Sequence, residues 1–266
     1  MLVALNVGNS RICFGFFKED KCDLVARFRI ATDVKRTSDE YLALIKAVIR
    51  ENDFSFDSIT GCILSSVVPQ LTPVMLETLE RFTGITPATV GPGLKTGFPI
   101  KIDSPSELGA DIVADTAAII GERKKRGDRE LSSVVANMGT VTTLSAINKN
   151  GEYVGCSIFP GVGISFDVMH GKTAQLPNVI PDKPSRAIGK NSRDSVRSGI
   201  ILGNAMMLDG MVESFAKEMK CDIKKVYLVA TGEYALRVID ACQNSFAFDE
   251  DLTLKGLWYL YTANRV

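Results

Sequence analysis

The sequence predicts a duplicated α/β fold, in which a unit of three successive strands followed by helices occurs twice. Three observations predict it. The chain opens with an apolar strand, Leu2–Leu5, that runs into the polar glycine turn Asn6-Val7-Gly8-Asn9-Ser10. The same grammar returns about half a chain later, where Ser132–Ala136 runs into Asn137-Met138-Gly139-Thr140. Between them lies the charged run Glu122–Glu130, a natural junction between copies of one unit. The expected lobes are residues 1–120 and 121–266.

In the first copy, Arg11–Phe17 follows the glycine turn as a second strand. After a polar turn at Lys18–Lys21, a third strand lies near Leu24–Ile30. Ser38-Asp39-Glu40 reads as a cap with acids in the first turn, and Leu42, Ile45, Val48 and Ile49 then keep helical spacing. Gly61–Val68 has the pattern of a buried strand, and Pro73–Thr83 is amphipathic at helical period. In the second copy, Val141–Ile147, the turn Asn148–Glu152 and Tyr153–Ile158 repeat the meander. Ser195–Phe215 reads as one long core helix, Lys225–Ala230 as a strand that ends in Thr231-Gly232-Glu233, and Leu252–Leu260 as a helix.

Composition narrows the function. With 266 residues, 45% of them hydrophobic, the chain can bury a core without disulfide staples. Lys plus Arg and Asp plus Glu are both 31, so no overall field draws the protein to nucleic acid or to an anionic membrane. The basic cluster Arg123–Arg126 reads as a solvated loop. A single histidine, His170, argues against chemistry that needs several imidazoles and reads as a partly exposed structural residue. Six cysteines with no CxxC pair suit reduced thiols and a cytoplasmic location. The first residues lack the basic start of a signal peptide, and no stretch is a credible membrane span.

Two strand-ending glycine turns flanked by amide and hydroxyl side chains are what a nucleoside triphosphate requires. Gly8 and Gly139 let backbone approach phosphate oxygens, and the N–H groups around Asn9-Ser10 and Thr140-Val141 can donate to them. Asn6 and Asn137 could equally serve only to cap their turns, and Asp111 could be the N-cap of the helix that carries Ile112, Val113 and Ala117.

The motif LNVGNSR resembles the first phosphate motif of type III pantothenate kinases, and NMGTVTT resembles their second. Also similar are SSVVP at Ser65–Pro69, GPGLKTG at Gly91–Gly97, GAD at Gly109–Asp111 and TAQLP at Thr173–Pro177. IGKNS at Ile188–Ser192, ATG at Ala230–Gly232 and DLTLKGL at Asp251–Leu257 complete the series in family order. The resemblance implies a duplicated ribonuclease-H-like (actin-like ATPase) fold of two lobes with a nucleotide cleft between them. It implies transfer of the ATP γ-phosphate to pantothenate with Mg²⁺ and a monovalent cation such as K⁺, and a homodimer. Carried over to this chain, the ATP and phosphate residues are Asn6, Gly8, Asn9, Ser10, Arg11, Gly139, Thr140 and Gly232. The substrate residues are Ile102, Gly109, Ala110, Asp111, Ile112 and Ser192. Asp111 is the general base, and the metal-linked positions are Asn6 and Asn137.

Several of these positions depart from the family pattern. Asn6 and Asn137 stand where the family has aspartates, so a neutral amide replaces an anionic oxygen at each. Ile112 replaces the arginine after GAD, and Ile102 replaces a tyrosine, which leaves apolar surface where a guanidinium fork and a phenol belong. Glu233 replaces a glycine, while Ser192 keeps the hydroxyl of the family threonine, a residue that serves the neighbouring protomer. The pattern predicts weak or absent turnover by the isolated chain and a role as a subunit in a heterodimer with an intact paralogue. A non-catalytic ligand-sensing or regulatory protein is the alternative.

Overall fold

The computed structural model describes residues 1–54, 59–127 and 131–265. Residues 128–130 of the predicted junction lie outside them. The chain divides into two units. The first holds Met1–Pro99, Asp103–Gly127 and Asp251–Val266, and the second holds Ile100–Ile102 and Asp128–Glu250. The helix near the C-terminus, expected with the second lobe, therefore belongs with the first unit, because its packing partners lie there.

In the first unit, strands β1 (Leu2–Val7), β2 (Arg11–Phe17) and β3 (Leu24–Ala31) form an antiparallel meander. Strands β4 (Gly61–Ser66) and β5 (Ala88–Thr89) extend the sheet in parallel on the other side of β1, in the order β3-β2-β1-β4-β5. Alternation sends Val3, Leu5 and Val7 to one face, where helices α1 (Ser38–Glu51) and α2 (Thr72–Thr83) supply Tyr41, Ile45, Met75 and Leu79 to the core. Phe14, Phe16, Phe28 and Phe54 cluster on the same face, Phe16 and Phe54 with ring centroids 4.9 Å apart. The cap of α1 lies one residue earlier than Ser38. Thr37 accepts from the Glu40 N–H while the Glu40 carboxylate accepts from the Thr37 N–H, a reciprocal capping box.

Helices α3 (Ala110–Arg126) and α8 (Leu252–Asn264) pack together in this unit. Their backbones meet because Gly256 has no side chain: a Cβ there would stand 1.8 Å from the Ala114 carbonyl oxygen. The Thr253 hydroxyl donates to the buried Asp115 carboxylate at 2.6 Å. The basic cluster read as a loop forms the last turn of α3, where cations suit the helix dipole, and Arg123 is buried. The helix expected to carry Ile112, Val113 and Ala117 thus runs on through all four basic residues.

The second unit repeats the plan. Strands β6 (Ser132–Met138), β7 (Val141–Ile147) and β8 (Tyr153–Pro160) form the meander. Strands β9 (Val226–Thr231) and β10 (Ala247–Phe248) extend it in parallel, giving β8-β7-β6-β9-β10. Each strand occupies the place of the one five earlier in the first sheet, so the duplication read from the glycine turns is present in the topology. The core face of β6 carries Val134, Ala136 and Met138 against α4 (Val162–Gly171) and α6 (Gly203–Glu218).

The predicted single helix over Ser195–Phe215 is three pieces: α5 (Ser192–Arg197), a π-helical stretch at Ser198–Leu202, and α6. Gly199 and Gly203 sit within or next to the widened turn, where the ladder of hydrogen bonds loosens most easily. His170 is exposed near the end of α4, with Nδ1 3.2 Å from the Leu176 carbonyl oxygen. All six cysteines are free, and among the described residues no helix is long and apolar enough to cross a membrane.

Candidate functional site

In the first unit, β1 and β2 are joined so tightly that the Gly8 N–H donates to the Arg11 carbonyl at 2.9 Å, with Asn9 and Ser10 exposed at the tip. The end of β3 is pinned onto this turn. The Thr32 hydroxyl donates to the Gly8 carbonyl at 2.6 Å, and the Thr32 N–H donates to the Ser10 carbonyl at 3.1 Å. Thr32 was not visible as a turn residue because its partners are more than twenty positions away in sequence.

Asn6 is not part of the turn, as the sequence reading had it. It is the penultimate residue of β1, in register with Cys13 on β2 and Ser65 on β4. The reading that it caps its turn fails for the same reason. Its Oδ1 is buried without a hydrogen-bond partner, and so is the Ser65 hydroxyl oxygen. Two unsatisfied polar atoms on adjacent strand ends are costly to leave dry. They mark a place where a polar ligand or an ordered water supplies the missing bonds.

Asp111 is the second residue of α3, inside its first turn, and the N-cap is Gly109, so Asp111 is not the N-cap itself. Its Oδ1 accepts from the Ile112 N–H at 2.8 Å. Gly109 and Asp111 belong together: a Cβ on Gly109 would meet that oxygen at 2.7 Å. Burial pushes the Asp111 carboxyl above the usual aspartate value, against the lowering pull of the backbone N–H groups of Ile112 and of Asp111 itself. Ala110 opens the helix, and Ile112 is buried immediately after the carboxylate.

In the second unit, Asn137 is the penultimate residue of β6, in register with Thr143 and Thr231, which reproduces the place of Asn6. Three chain segments converge on the turn that follows. Gly232, at φ +100°, lies where a Cβ would stand 2.5 Å from the Met138 backbone, a conformation and a closeness that only glycine accepts. Gly161, at the start of α4, lies where a Cβ would stand 2.0 Å from the Thr140 carbonyl oxygen. Tyr234 approaches Gly163, whose Cβ would meet the phenol oxygen at 2.9 Å. Gly161, Gly163 and Tyr234 were missed by the sequence reading. The glycines at alternate positions after Pro160 were the available signal.

Ile102 is half-buried beside β8, where the Lys101 N–H donates to the Tyr153 carbonyl at 2.8 Å. Glu233 and Ser192 are exposed. Ser192 is the first residue of α5, and the neighbouring Asn191 side chain caps that helix by accepting from the Asp194 N–H at 2.9 Å.

The donor sets at Asn6 and Asn137 do not suit the Mg²⁺ and K⁺ that the family resemblance implies. Asn6 with Ser65, and Asn137 with Thr143 and Thr231, are neutral amides and hydroxyls. Among the described residues no group of three or more His, Cys, Asp or Glu could hold a metal ion. Mg²⁺ wants anionic oxygen in octahedral array, and these sets do not fit it as direct ligands. Asn137 likewise offers K⁺ no negative charge.

Two five-stranded sheets of one topology, each with a glycine turn at the end of its first strand, define the actin-like ATPase fold class. Solved structures share it. A protein of Campylobacter jejuni described as a Baf family transcriptional activator matches at a TM-score of 0.60, with 16% identity and 98% of each chain covered. The polyphosphate/ATP-glucomannokinase of an Arthrobacter strain matches at 0.54, with 13% identity and 99% of each covered. The family model for type III pantothenate kinase matches residues 2–214, and the chain belongs to that family. Relatives named type III pantothenate kinase from Pelobacter propionicus and Citrifermentans bemidjiense are 38% and 37% identical over 265 residues, covering 100% of each chain.

Proposed function

We propose that this chain carries the family reaction, transfer of the ATP γ-phosphoryl group to the hydroxyl of pantothenate, the first step of coenzyme A synthesis, and that it turns over slowly when alone. The observation that carries the reading is Asp111, a carboxylate held at the start of a helix and pushed up by burial toward the pH at which a base works best. In the reaction the pantothenate oxygen bonds to the γ-phosphorus, the bond to the β-phosphate oxygen breaks, and Asp111 takes the hydroxyl proton as ADP leaves. Backbone N–H groups of the Gly8–Arg11 turn in the first unit suit phosphate oxygens, and so do those of the Gly139–Val141 turn in the second. Gly232 keeps the chain close on the adenosine side, and Gly109 and Ala110 shape the substrate side with Asp111.

Slow turnover follows from the neutral amides at Asn6 and Asn137 and from Ile102 and Ile112, which offer a substrate carboxylate or amide no hydrogen bond. We further propose a dimer, with itself or with an intact paralogue to which Ser192 contributes its hydroxyl. The second unit exposes Ile158, Val168, Ile180, Ile188 and Met206, apolar surface of the kind a subunit covers. Free cysteines suit a cytoplasmic setting.

A coupled kinase assay with the chain alone, and with any paralogue from its source, tests the reading. Slow pantothenate phosphorylation abolished by Asp111→Asn supports it. In a mixed dimer, a several-fold loss with Ser192→Ala and none with Asp111→Asn supports the subunit role. The neutral Asn6 and Asn137 also favour a second reading, a ligand-sensing protein without catalysis, which predicts binding of nucleotide or pantothenate and no turnover in any mixture.

A further inference from the structure

Each glycine turn is met by the residue that follows the third strand of its own meander. Arg11 is in register with Ala31 at the end of β3, and Val141 is in register with Pro160 at the end of β8. The next residue is Thr32 in the first unit and Gly161 in the second, so the two occupy the same place in the duplicated plan. They meet their turns by different means. Gly161 lies so close that a Cβ would stand 2.0 Å from the Thr140 carbonyl oxygen and 2.8 Å from that of Gly139. Thr32 has a side chain and uses it: its hydroxyl donates to the Gly8 carbonyl at 2.6 Å, while its N–H donates to the Ser10 carbonyl at 3.1 Å.

The hydroxyl bond is the one that depends on residue type, because any residue but proline supplies the N–H. A trans peptide is planar, with its C=O and N–H pointing to opposite sides. The Gly8 carbonyl shares its peptide with the Asn9 N–H, so tying that oxygen to Thr32 turns the Asn9 N–H away from the end of β3. Glycine at position 8 leaves the same peptide easy to rotate when nothing holds it. Rotation would bring a carbonyl oxygen, with its partial negative charge, to the side from which the N–H donates.

Thr32 is itself braced from behind. Tyr41 of α1 is fully buried, and its phenol accepts from the Asp33 N–H at 2.9 Å and donates to the Asp33 carbonyl at 2.8 Å. A line of bonded groups therefore runs from the core of the first unit through Asp33 and Thr32 to the glycine turn.

We propose that Thr32 is a positioning residue for the bound nucleotide, acting through the Gly8 carbonyl to keep the Asn9 N–H aimed at a phosphate oxygen before the nucleotide arrives. The inference rests on the nucleotide-binding reading above and adds to it the residue that sets the turn. A donor already in place needs no reorganisation when the anion binds, and that saving appears as affinity. It acts on ligands that carry phosphate and spares adenosine.

Calorimetric titration of wild type, Thr32→Val and Thr32→Ser with ATP, ADP and adenosine tests it. Thr32→Val keeps the shape and the N–H and loses the hydroxyl. It is expected to weaken ATP and ADP about fivefold to tenfold with adenosine unchanged, and Thr32→Ser is expected to bind all three as wild type does. If wild type binds ATP and a folded Thr32→Val binds it equally well, the positioning role is wrong and the kinase reading stands. An equal loss for adenosine also overturns the role, because the bond then only supports the fold, and so does a Thr32→Ser as weak as Thr32→Val. Should Thr32→Val not fold, Tyr41→Phe carries the test, since it keeps the buried ring and takes the hydroxyl from Asp33. A loss confined to ATP and ADP then supports the role, and unchanged ATP affinity overturns it. If wild type binds no ATP, both readings fall.

Discussion

Gly161 and Thr140 meet backbone to backbone, with room for no more than a hydrogen between Gly161 and the Thr140 carbonyl oxygen. The obstructing atom is main chain, so a side chain at position 161 can be admitted only by moving the Gly139–Thr140 turn. Gly161→Ala is expected to cost about 1–3 kcal/mol of stability, as overpacking does, and to weaken nucleotide binding more than tenfold. Gly171→Ala, at the end of the same helix with nothing within 4 Å of the added carbon, is the control expected to leave nucleotide binding unchanged and not to lower stability. Thermal denaturation and calorimetry with ATP read the two effects separately.

Gly256 and Gly210 predict opposite signs for the same substitution. At Gly256 the new methyl would collide with Ala114 backbone across the α3–α8 contact, so Gly256→Ala should lower stability by about 1–3 kcal/mol or more. At the exposed Gly210 of α6 nothing lies within 4 Å, and Gly210→Ala should raise stability by about 0.5–1 kcal/mol through helix propensity alone. Urea unfolding of the two variants beside wild type checks the sign of each.

Asp209 holds the turn after α7 (Ala235–Ile239) in the second unit. Its carboxylate accepts from the Gln243 N–H at 2.7 Å, the Asn244 N–H at 3.0 Å and the Asn244 side-chain amide at 2.8 Å. Asp209→Ala would leave these donors unpartnered and is expected to cost about 2–4 kcal/mol, with Asp209→Asn recovering part of it. Burial, and after it the same carboxylate, push the Cys242 thiol up to about 12. A thiol reagent should therefore modify Cys242 faster in Asp209→Ala than in wild type, since the variant both opens the turn and removes the adjacent negative charge.

Asp111 makes a prediction about pH. Its carboxyl is raised in the folded state, so the native protein holds a proton that the unfolded chain has released over the interval from the ordinary aspartate value of 3.8 up to the folded value. Stability from this group therefore falls as pH rises through that interval and stays lower above it. Asp111→Asn lacks this loss. The melting temperature of the variant relative to wild type should climb as pH is raised from below 3.8 and then level off; a flat difference across the series would refute the burial effect.

The duplication was legible because strand alternation and turn chemistry are local. Gly8 and Gly139 announce strand ends wherever they fall, and the two sheets repeat the order that those turns implied. The length of β1 and β6 was not legible. Asn6 and Asn137 look like turn residues by propensity, yet cross-strand pairing to Ser65 and Thr231 overrides that preference. Helix α4 escaped notice because Val162, Gly163 and Ile164 follow a strand without an obvious break, and its first turn has no side-chain cap. The candidate site divides the same way. The glycine turns and Asp111 were readable from motif order, whereas Gly161 and Thr32 gain their importance from segments distant in sequence.

The first unit is assembled from three stretches of chain, the last of them Asp251–Val266, while the second unit contains no residue beyond Glu250. On the ribosome, synthesis runs in one direction, so every residue of the second unit is made before the helix that packs its Gly256 against Ala114. The unit that holds the earliest residues of this sequence is thus the last to be finished. During that interval the backbone surface around Ala114 awaits its cover, and a chain cut back to Glu250 would keep every residue of the second unit while the first lacked α8.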